Sequence, residues 1–209
     1  MGVVADTHVG EFLDALPASV LEALEGCDLI LHAGDLSVPS VLDDLEQVAP
    51  VVAVRGDHDR LGGLLLPRAT VVVAGGHRIG LTHGDRFGPI DASVVTASVA
   101  ARRNLRYRAG LGRALRRRFG PVDAIVHGHW HEPVVARAGG VLLFSPGAVC
   151  PWGSMEGGRD PRPGPKGVAD RAVRRFRSQL GADAMRPGVG VLEVGSGGIR
   201  PTTIPLPPR

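Results

Sequence analysis

The chain has 209 residues, of which 44% are hydrophobic and 22% charged, and its formal net charge is +3. This composition excludes a wholly disordered protein and is typical of a globular one. No run approaches the roughly 18 apolar residues of a membrane span, and no signal peptide is visible at the N-terminus. Cys27 and Cys150 match no metal or redox spacing. We therefore expect a cytoplasmic protein whose cysteines are reduced.

The first half of the chain alternates short apolar runs with helical patterns. Three strands are predicted, at Gly2–Ala5, Asp28–His32 and Val51–Val54. Between them, the spacing of apolar residues predicts helices at Leu16–Leu24 and from Ser37 to about Val48, with Ser37 as the N-cap of the second helix. Strands and helices in this order predict parallel pairing through right-handed crossovers.

The second half is predicted to be mostly β-structure with antiparallel pairing. Gly75 and Gly76 are typical of the two-residue turn of a hairpin, between strands at Ala69–Ala74 and His77–Thr82. Further short strands with glycine-bearing turns are predicted at Val122–Val126, Val134–Ala138, Val141–Phe144, Gly190–Val194 and Ile199–Ile204.

Two basic segments interrupt this pattern. The first, Ile90–Phe119, is predicted to be helical because Leu111, Leu115 and Phe119 are spaced by four. Its arginines are Arg102, Arg103, Arg106, Arg108, Arg113, Arg116, Arg117 and Arg118. They have two interpretations: a solvated helix face, or a cap that recognises a polyanion such as a nucleotide or nucleic acid.

The second basic segment begins with a Gly/Pro-rich loop at Gly153–Lys166. Behind the loop, a four-residue apolar stripe predicts a helix at Val168–Leu180, which carries Arg171, Arg174, Arg175 and Arg177. This helix has three interpretations: a docking element, a homodimer contact or an element that lies on a membrane surface.

Five of the predicted strands share one feature, an Asp or His beside a Gly at the carboxyl end. The segments are Gly2–His8, Leu29–Asp35, Val51–Asp59, Ile79–Asp85 and Ala124–His131. Ligands bind at the carboxyl ends of strands in α/β sheets, so we expect the five ends to meet. Buried carboxylates in such numbers repel one another, and cations must compensate for them. Mixed carboxylate and imidazole donors suit Mn, Fe, Zn and similar ions.

These motifs, D-x-H, G-D, G-D-H-D, H-G-D and G-H-x-H in this order, resemble those of the calcineurin-like metallophosphoesterases, above all the small bacterial and archaeal phosphodiesterases of that superfamily. The resemblance runs from Asp6 to His131 and extends through Ser145-Pro146-Gly147 to about Val149. It implies an α/β fold, the four-layer αββα sandwich of two mixed β-sheets flanked by helices (the metallo-dependent phosphatase fold). One such domain would span 1–209, with segments at about 88–120 and 153–187 inserted.

Carried over by position, the resemblance implies a site with two divalent metal ions, with Mn²⁺ favoured and Fe, Zn, Ni or Mg as alternatives. The implied ligands are Asp6, His8 and His131 for the first ion, Asp35 as the bridge, and Asp57, His83 and His129 for the second. A metal-bridging water attacks the phosphorus, and His58 acts as general acid toward the leaving oxygen. Asp59 joins the catalytic group as an orienting residue rather than a ligand.

The chain departs from the family at Asp57, where an asparagine is usual. A carboxylate there should hold a cation more tightly, but it removes the hydrogen-bond donor of the amide and weakens the attraction for a dianionic phosphate. We expect a working site, in which Asp57→Asn keeps metal binding.

The resemblance favours hydrolysis of a phosphodiester. One alternative is a phosphomonoesterase acting on a nucleotide, a protein or a small metabolite, with arginines recognising the terminal dianion. Another is a non-catalytic scaffold of the same fold, against which the full ligand set and His58 argue. A nuclease is a narrower form of the first function, but the aromatic content of 4% provides few stacking platforms for single strands.

Overall fold

A computed structural model of the chain describes residues 1–60, 65–86, 88–102, 105, 110–151 and 186–207. In chain order the elements are β1 (Gly2–Val4), α1 (Ala18–Ala23), β2 (Ile30–His32), α2 (Ser40–Glu46), β3 (Val51–Ala53), a 3₁₀ turn (His58–Arg60), β4 (Ala69–Ala74), β5 (His77–Thr82), α3 (Gly88–Ala101), α4 (Leu111–Arg116), β6 (Ala124–Val126), β7 (Pro133–Ala138), β8 (Val141–Pro146), β9 (Gly188–Gly195) and β10 (Gly198–Pro205). The predicted loop at Gly153–Lys166 and helix at Val168–Leu180 lie outside the described residues.

The strands form two five-stranded mixed sheets. The first has the order β10-β9-β1-β2-β3 and the second the order β4-β5-β6-β8-β7. Strands β1, β2 and β3 are parallel, as predicted from their helical connections. The β4–β5 hairpin has the predicted bounds, and its two turn glycines have φ of 54° and 79°, values that side chains disfavour.

The predicted antiparallel pairing of the second half is wrong at the centre of the second sheet. Strand β6 pairs in parallel with both β5 and β8, whereas β4–β5, β7–β8 and β9–β10 are antiparallel. A parallel pair needs a long crossover, and the segment that contains α3 and α4 supplies it between β5 and β6. The basic segment is therefore a crossover connection.

A layered core confirms the predicted αββα sandwich. Between the sheets, Val3 and Leu31 of the first sheet belong to one buried cluster with Ile79, Leu81 and Phe144 of the second. The alternate residues of β1 and β2 face outward and pack with α1 and α2, in a cluster that includes Val4, Val20, Leu24, Ile30 and Leu45. On the outer face of the second sheet, α4 covers β6 and β8 through Leu111, Leu115, Ile125 and Leu143.

The start of α2 differs from the prediction. The helix begins at Ser40 with Pro39 as its N-cap, and Ser37 has φ of 72° and caps nothing by its side chain. Its amide instead donates to the Asp59 carboxylate at 2.8 Å. Serine is favoured at N-caps, which is the basis of the prediction, but the loop's hydrogen bond to Asp59 decides the conformation of Ser37.

No helix in the described part of the chain is long and apolar enough to cross a membrane.

Candidate metal centre

The five predicted strand ends meet at one edge of the sandwich. Each of β1, β2, β3, β5 and β6 is followed by Asp or His within six residues, and these five strands belong to parallel sets in the two facing sheets. Parallel strands present their carboxyl ends at the same edge, so both sheets contribute side chains to a shared cleft. The seven predicted ligands lie in this cleft.

The first group of donors is Asp6, His8 and His131, all buried. Nε2 of His131 lies 3.4 Å from Oδ1 of Asp6 and 3.4 Å from Nε2 of His8. Three donors this close together around one point match the two imidazoles and a carboxylate that bind Zn²⁺, Mn²⁺ or Fe²⁺.

The second group of donors is Asp57, His83 and His129. Nδ1 of His129 lies 3.2 Å from Nε2 of His83 and 3.9 Å from Oδ2 of Asp57. His83 is fully buried, whereas the Asp57 side chain is 48% exposed. The second group therefore opens toward solvent on the Asp57 side.

Asp35 lies between the two groups, in the position of a bridge. Its Oδ2 is 3.8 Å from Nε2 of His8 and 3.3 Å from Nε2 of His83, so one oxygen faces a donor of each group. Its other oxygen, Oδ1, accepts the backbone N–H of His58 at 3.0 Å. The carboxylate is thus held in the orientation that a shared ligand requires.

The electrostatics of the cleft fit a cation. Burial raises the pKa of Asp35, but the nearby His83 and His8 outweigh it and hold that pKa well below its usual value. Burial lowers the pKa of His83, but Asp35 and Asp6 outweigh it and hold that pKa well above its usual value. A proton on His83 therefore helps to balance the buried carboxylates, and a divalent ion is suited to replace it.

One hydrogen bond fixes the nitrogen that His83 offers to a metal. Its Nδ1 donates to the carbonyl oxygen of Ala33 at 2.9 Å, which leaves Nε2 directed at Asp35 and His129. Histidines that bind a metal through one ring nitrogen are generally oriented by a hydrogen bond from the other nitrogen. The residues present thus fit a metal centre.

The backbone of the predicted ligands is strained. Seven non-glycine residues in the described ranges have positive φ, and five of them are predicted ligands: Asp6 (54°), His8 (50°), Asp35 (58°), His129 (70°) and His131 (54°). A left-handed residue with a side chain costs about 1–2 kcal/mol in general, and less where an Asp side chain hydrogen-bonds locally. Such conformations concentrate at functional sites, where the surrounding structure holds them.

Two glycines let the backbone approach the carboxylates closely. A Cβ atom on Gly56 would lie 2.0 Å from Oδ1 of Asp35, and one on Gly128 would lie 2.7 Å from Oδ2 of Asp6. Neither position has room for a side chain, because the carboxylates are themselves fixed by backbone hydrogen bonds. The glycines in these strand-end motifs therefore form part of the construction of the site.

The structure ties Asp59 to the backbone of two loops. Its carboxylate is buried and accepts three backbone N–H groups, from Asp35 at 2.9 Å, Ser37 at 2.8 Å and Gly56 at 2.7 Å. Asp59 therefore orients the loops after β2 and β3. Only this indirect orienting role is supported by its contacts.

Sequence reasoning missed two carboxylates that contact predicted site histidines. Oε2 of Glu11 lies 2.5 Å from Nδ1 of His58, and Oδ2 of Asp91 lies 3.4 Å from Nε2 of His129. Glu11 follows His8 by three residues in a turn, which is a usable signal. Asp91 begins α3 in the basic segment and has no motif around it, so the sequence alone did not point to it.

Asp91 also ties the basic segment to the metal centre. Its oxygens accept the backbone N–H and the Nε–H of Arg86, each at 2.7 Å. Burial raises the pKa of Asp91, but hydrogen bonds from His129 and Arg86 outweigh it and lower that pKa. Because Nε2 of His129 faces Asp91, its Nδ1 is the nitrogen left for a metal.

Four arginines of the basic segment lie in α4 or directly after it. Arg113, Arg116 and Arg117 are exposed, and Arg118 donates to the hydroxyl of Thr82 at 2.7 Å and to Asp85. Arg103, Arg106 and Arg108 lie outside the described residues, as do the arginines of the second basic segment. Recognition of a nucleotide or nucleic acid by these segments remains a prediction.

This combination of two packed mixed sheets and an Asp/His cluster at their shared edge defines the class of the protein. The calcineurin-like phosphoesterase superfamily domain matches residues 1–159, and the chain belongs to that superfamily of metal-dependent phosphoesterases. A relative from Methanothermobacter thermautotrophicus, named a probable metallophosphoesterase, is 34% identical over 148 residues, which are 71% of this chain and 76% of the relative.

Two solved structures share the fold at low sequence identity. Wild-type Vps29 of Entamoeba histolytica, complexed with Zn²⁺, has a TM-score of 0.59 at 20% identity, over 98% of this chain and 97% of that chain. An archaeal phosphodiesterase has a TM-score of 0.53 at 20% identity, over 97% of this chain and 98% of that chain. At this identity the two likenesses concern the fold alone.

Proposed function

We propose that this protein hydrolyses phosphodiesters with two divalent metal ions and that residues 1–209 form one such domain with the two basic segments inserted. The observation that carries the proposal is the placement of Asp35, one oxygen of which lies between Nε2 of His8 and Nε2 of His83. Two donor groups joined by one carboxylate are the arrangement of a two-metal hydrolytic site.

Seven side chains would hold the two ions. Asp6, His8 and His131 serve the first, Asp57, His83 and His129 serve the second, and Asp35 serves both. Two such ions activate water for in-line attack and neutralise the charge on the phosphoryl group. Because the donors mix imidazole and carboxylate, Mn²⁺ is favoured, with Fe, Zn, Ni and Mg as alternatives.

His58 is the proposed general acid. Its side chain is 17% exposed, and its amide is tied to Oδ1 of Asp35, so the ring stands at the edge of the donor cluster. An imidazole in this position is within reach of a phosphoester at the metals and of solvent. A positioned general acid contributes about 10²–10⁴-fold to such a reaction.

The preference for a diester over a monoester rests on charge. Asp57 places a half-exposed carboxylate at the open side of the second donor group. That charge opposes a dianionic monoester more than a monoanionic diester. An archaeal protein of the same fold is a phosphodiesterase, which favours the same choice. A cytoplasmic location and an anion-binding role for the basic segments complete the proposal.

The test compares bis-p-nitrophenyl phosphate with p-nitrophenyl phosphate. Chelator-stripped protein is assayed before and after Mn²⁺ is added back, with His58→Ala as the variant. We expect metal-dependent cleavage that favours the diester. Because nitrophenolate leaves readily without a proton, we expect the variant to lose less activity on this ester than the at least about 10²-fold expected for diphenyl phosphate. Faster monoester cleavage would assign a phosphomonoesterase instead. Two bound metal ions without turnover of either ester would contradict the proposed activity.

A further inference from the structure

Glu11 contacts two site histidines and is absent from the predicted catalytic set. It lies in the turn after His8, where the amides of Glu11, Phe12 and Leu13 all donate to the His8 carbonyl oxygen at 2.9–3.2 Å. Gly10, with φ of 80°, allows the chain to make this turn. The position of Glu11 is therefore set by the backbone that follows the first predicted metal ligands.

One oxygen of Glu11 serves both rings. Oε2 lies 2.5 Å from Nδ1 of His58 and 3.5 Å from Nδ1 of His8. The first distance is that of a short hydrogen bond, and the second is a looser contact in which Nδ1 of His8 makes no hydrogen bond to any residue that the structure describes. The hydroxyl of Ser37 lies 3.5 Å from the same oxygen. The carboxylate is thus positioned between the general acid and a predicted ligand.

The rings themselves are packed together. The His8 and His58 ring centroids are 4.6 Å apart at an interplanar angle of 84°, and the Phe12 ring lies 5.1 Å from His8 and 6.1 Å from His58. Edge-to-face packing of this kind restricts ring rotation.

The acids closest in sequence to His58 are engaged elsewhere. The carboxylate of Asp59 accepts three backbone N–H groups, and Oδ1 of Asp35 accepts the His58 amide rather than its ring. Asp57 faces His129. Glu11, distant by 47 positions in the chain, contacts the imidazole of His58 through its carboxylate.

We infer that Glu11 is a positioning residue that accepts the Nδ1 hydrogen of His58 and so presents Nε2 to the leaving oxygen of the phosphoester. The inference rests on the proposed function for the role of His58, but the Glu11–His58 contact is a separate claim. The looser contact with Nδ1 of His8 likewise leaves Nε2 of that ring directed at His131 and Asp35. The acid form of His58 carries hydrogen on both ring nitrogens, so Glu11 holds the Nδ1 hydrogen while the Nε2 hydrogen passes to the leaving oxygen and the ring is left neutral with hydrogen on Nδ1. The same carboxylate supports a predicted metal ligand.

The first test reads the His58 ring without turnover. Full-length protein with ¹⁵N-labelled histidines is loaded with Zn²⁺, and long-range ¹H–¹⁵N spectra show which ring nitrogen of neutral His58 bears hydrogen, with His58→Ala for assignment. We expect the hydrogen on Nδ1 in the wild type and in Glu11→Gln, whose amide oxygen still accepts, and a shift to Nε2 in Glu11→Leu. An unchanged Nδ1–H signal in Glu11→Leu would overturn the inference.

The second test compares leaving groups. Diphenyl phosphate needs a proton on its leaving oxygen far more than bis-p-nitrophenyl phosphate does. In Glu11→Leu we expect turnover of the phenyl ester to fall at least about tenfold more than turnover of the nitrophenyl ester. Glu11→Gln should largely restore the ratio. In a His58→Ala background, Glu11→Leu should leave the ratio unchanged, and Glu25→Gln, an exposed site, is the matched control.

The outcomes separate the two claims. If wild-type protein cleaves neither ester but the tautomer still shifts in Glu11→Leu, the positioning contact stands and the proposed function falls. If Glu11→Leu loses one of two bound metal equivalents and the His58 tautomer does not shift, Glu11 acts in metal binding, and the positioning role is overturned. Equal losses with both esters, at full metal content and with an unchanged tautomer, also overturn it.

Discussion

At the scale of single residues, Asp57 is the informative departure from the family pattern. Its carboxylate lies 3.9 Å from Nδ1 of His129 and is half exposed, so it can hold an ion without the burial cost that Asp6 and Asp35 bear. The amide of an asparagine would keep one oxygen donor in the same place. The residue therefore adjusts affinity and charge at the second donor group and does not create that group.

We predict that Asp57→Asn still binds two metal equivalents, with weaker affinity at one of them, and raises turnover of a monoester relative to a diester. The loss of one negative charge at the cleft is the physical reason. Titration calorimetry with Mn²⁺ and the ester ratio are the measurements. Loss of an entire metal equivalent would contradict this prediction, and Glu25→Gln serves as the control for an exposed acid.

The sequence predicted which residues could bind metal better than it predicted which residues contact them. Seven candidate ligands followed from strand ends and their resemblance to the family motifs, and the structure brings their side chains into one cleft. Glu11 and Asp91 were missed, because a contact such as Glu11–His58 joins positions 47 apart in the chain. A motif records the residues of one strand end, whereas a supporting contact depends on how separate ends are packed against each other.

At the scale of elements, the basic segment has a packing function that is visible without any ligand. Helix α4 places Leu111 and Leu115 in a buried cluster with Ile125 of β6 and Leu143 of β8, and its arginines face solvent. The leucines spaced by four in the sequence therefore form the buried face of the helix. The crossover that this segment makes between β5 and β6 was missed, because a parallel pair leaves no short-range pattern in the sequence.

We predict that Leu115→Ala lowers the free energy of unfolding by about 2–5 kcal/mol, because it leaves a cavity beneath α4. Arg113→Ala and Arg117→Ala on the exposed face should change it by less than about 0.5 kcal/mol. Urea denaturation of the three variants measures both effects. If the arginine variants were the more destabilised, α4 would be held by its charges and the packing account would be wrong.

At the scale of the whole molecule, the metal centre joins the two sheets. Asp6, His8, Asp35 and Asp57 follow strands of the first sheet, and His83, His129 and His131 follow strands of the second. Ions bound at this edge would connect the two sheets at the carboxyl ends of their strands, where the loops begin. Metal binding should therefore stabilise the entire sandwich and not one loop.

We predict that Mn²⁺ raises the midpoint of thermal unfolding and that the rise grows with pH. Ligand at about 100 times its Kd adds about 2.7 kcal/mol. Burial lowers the pKa of His83, but Asp35 and Asp6 hold it well above its usual value. In metal-free protein that proton stabilises the fold below the ordinary histidine pKa, and its contribution is lost as pH rises through the raised one. A metal ion must displace this proton from His83, so metal binding weakens as the pH falls.

Calorimetric scans of metal-free and Mn²⁺-loaded protein at several pH values measure this effect. Thermal midpoints that respond to Mn²⁺ equally at every pH would contradict the proton displacement. A midpoint that does not respond to Mn²⁺ at any pH would contradict a centre that spans the sheets. His83→Gln, which removes the titrating ring but keeps a polar side chain, should flatten the pH dependence.

The left-handed conformations of the predicted ligands have an evolutionary consequence. Asp6, His8, Asp35, His129 and His131 all occupy backbone angles that glycine or asparagine would adopt at lower cost. If selection for catalysis were relaxed, glycine substitutions at these positions would erase the site and relieve its backbone together, so the sandwich could change toward an inactive but more stable form. The activity would be the less durable property of this chain, and the architecture the more durable one.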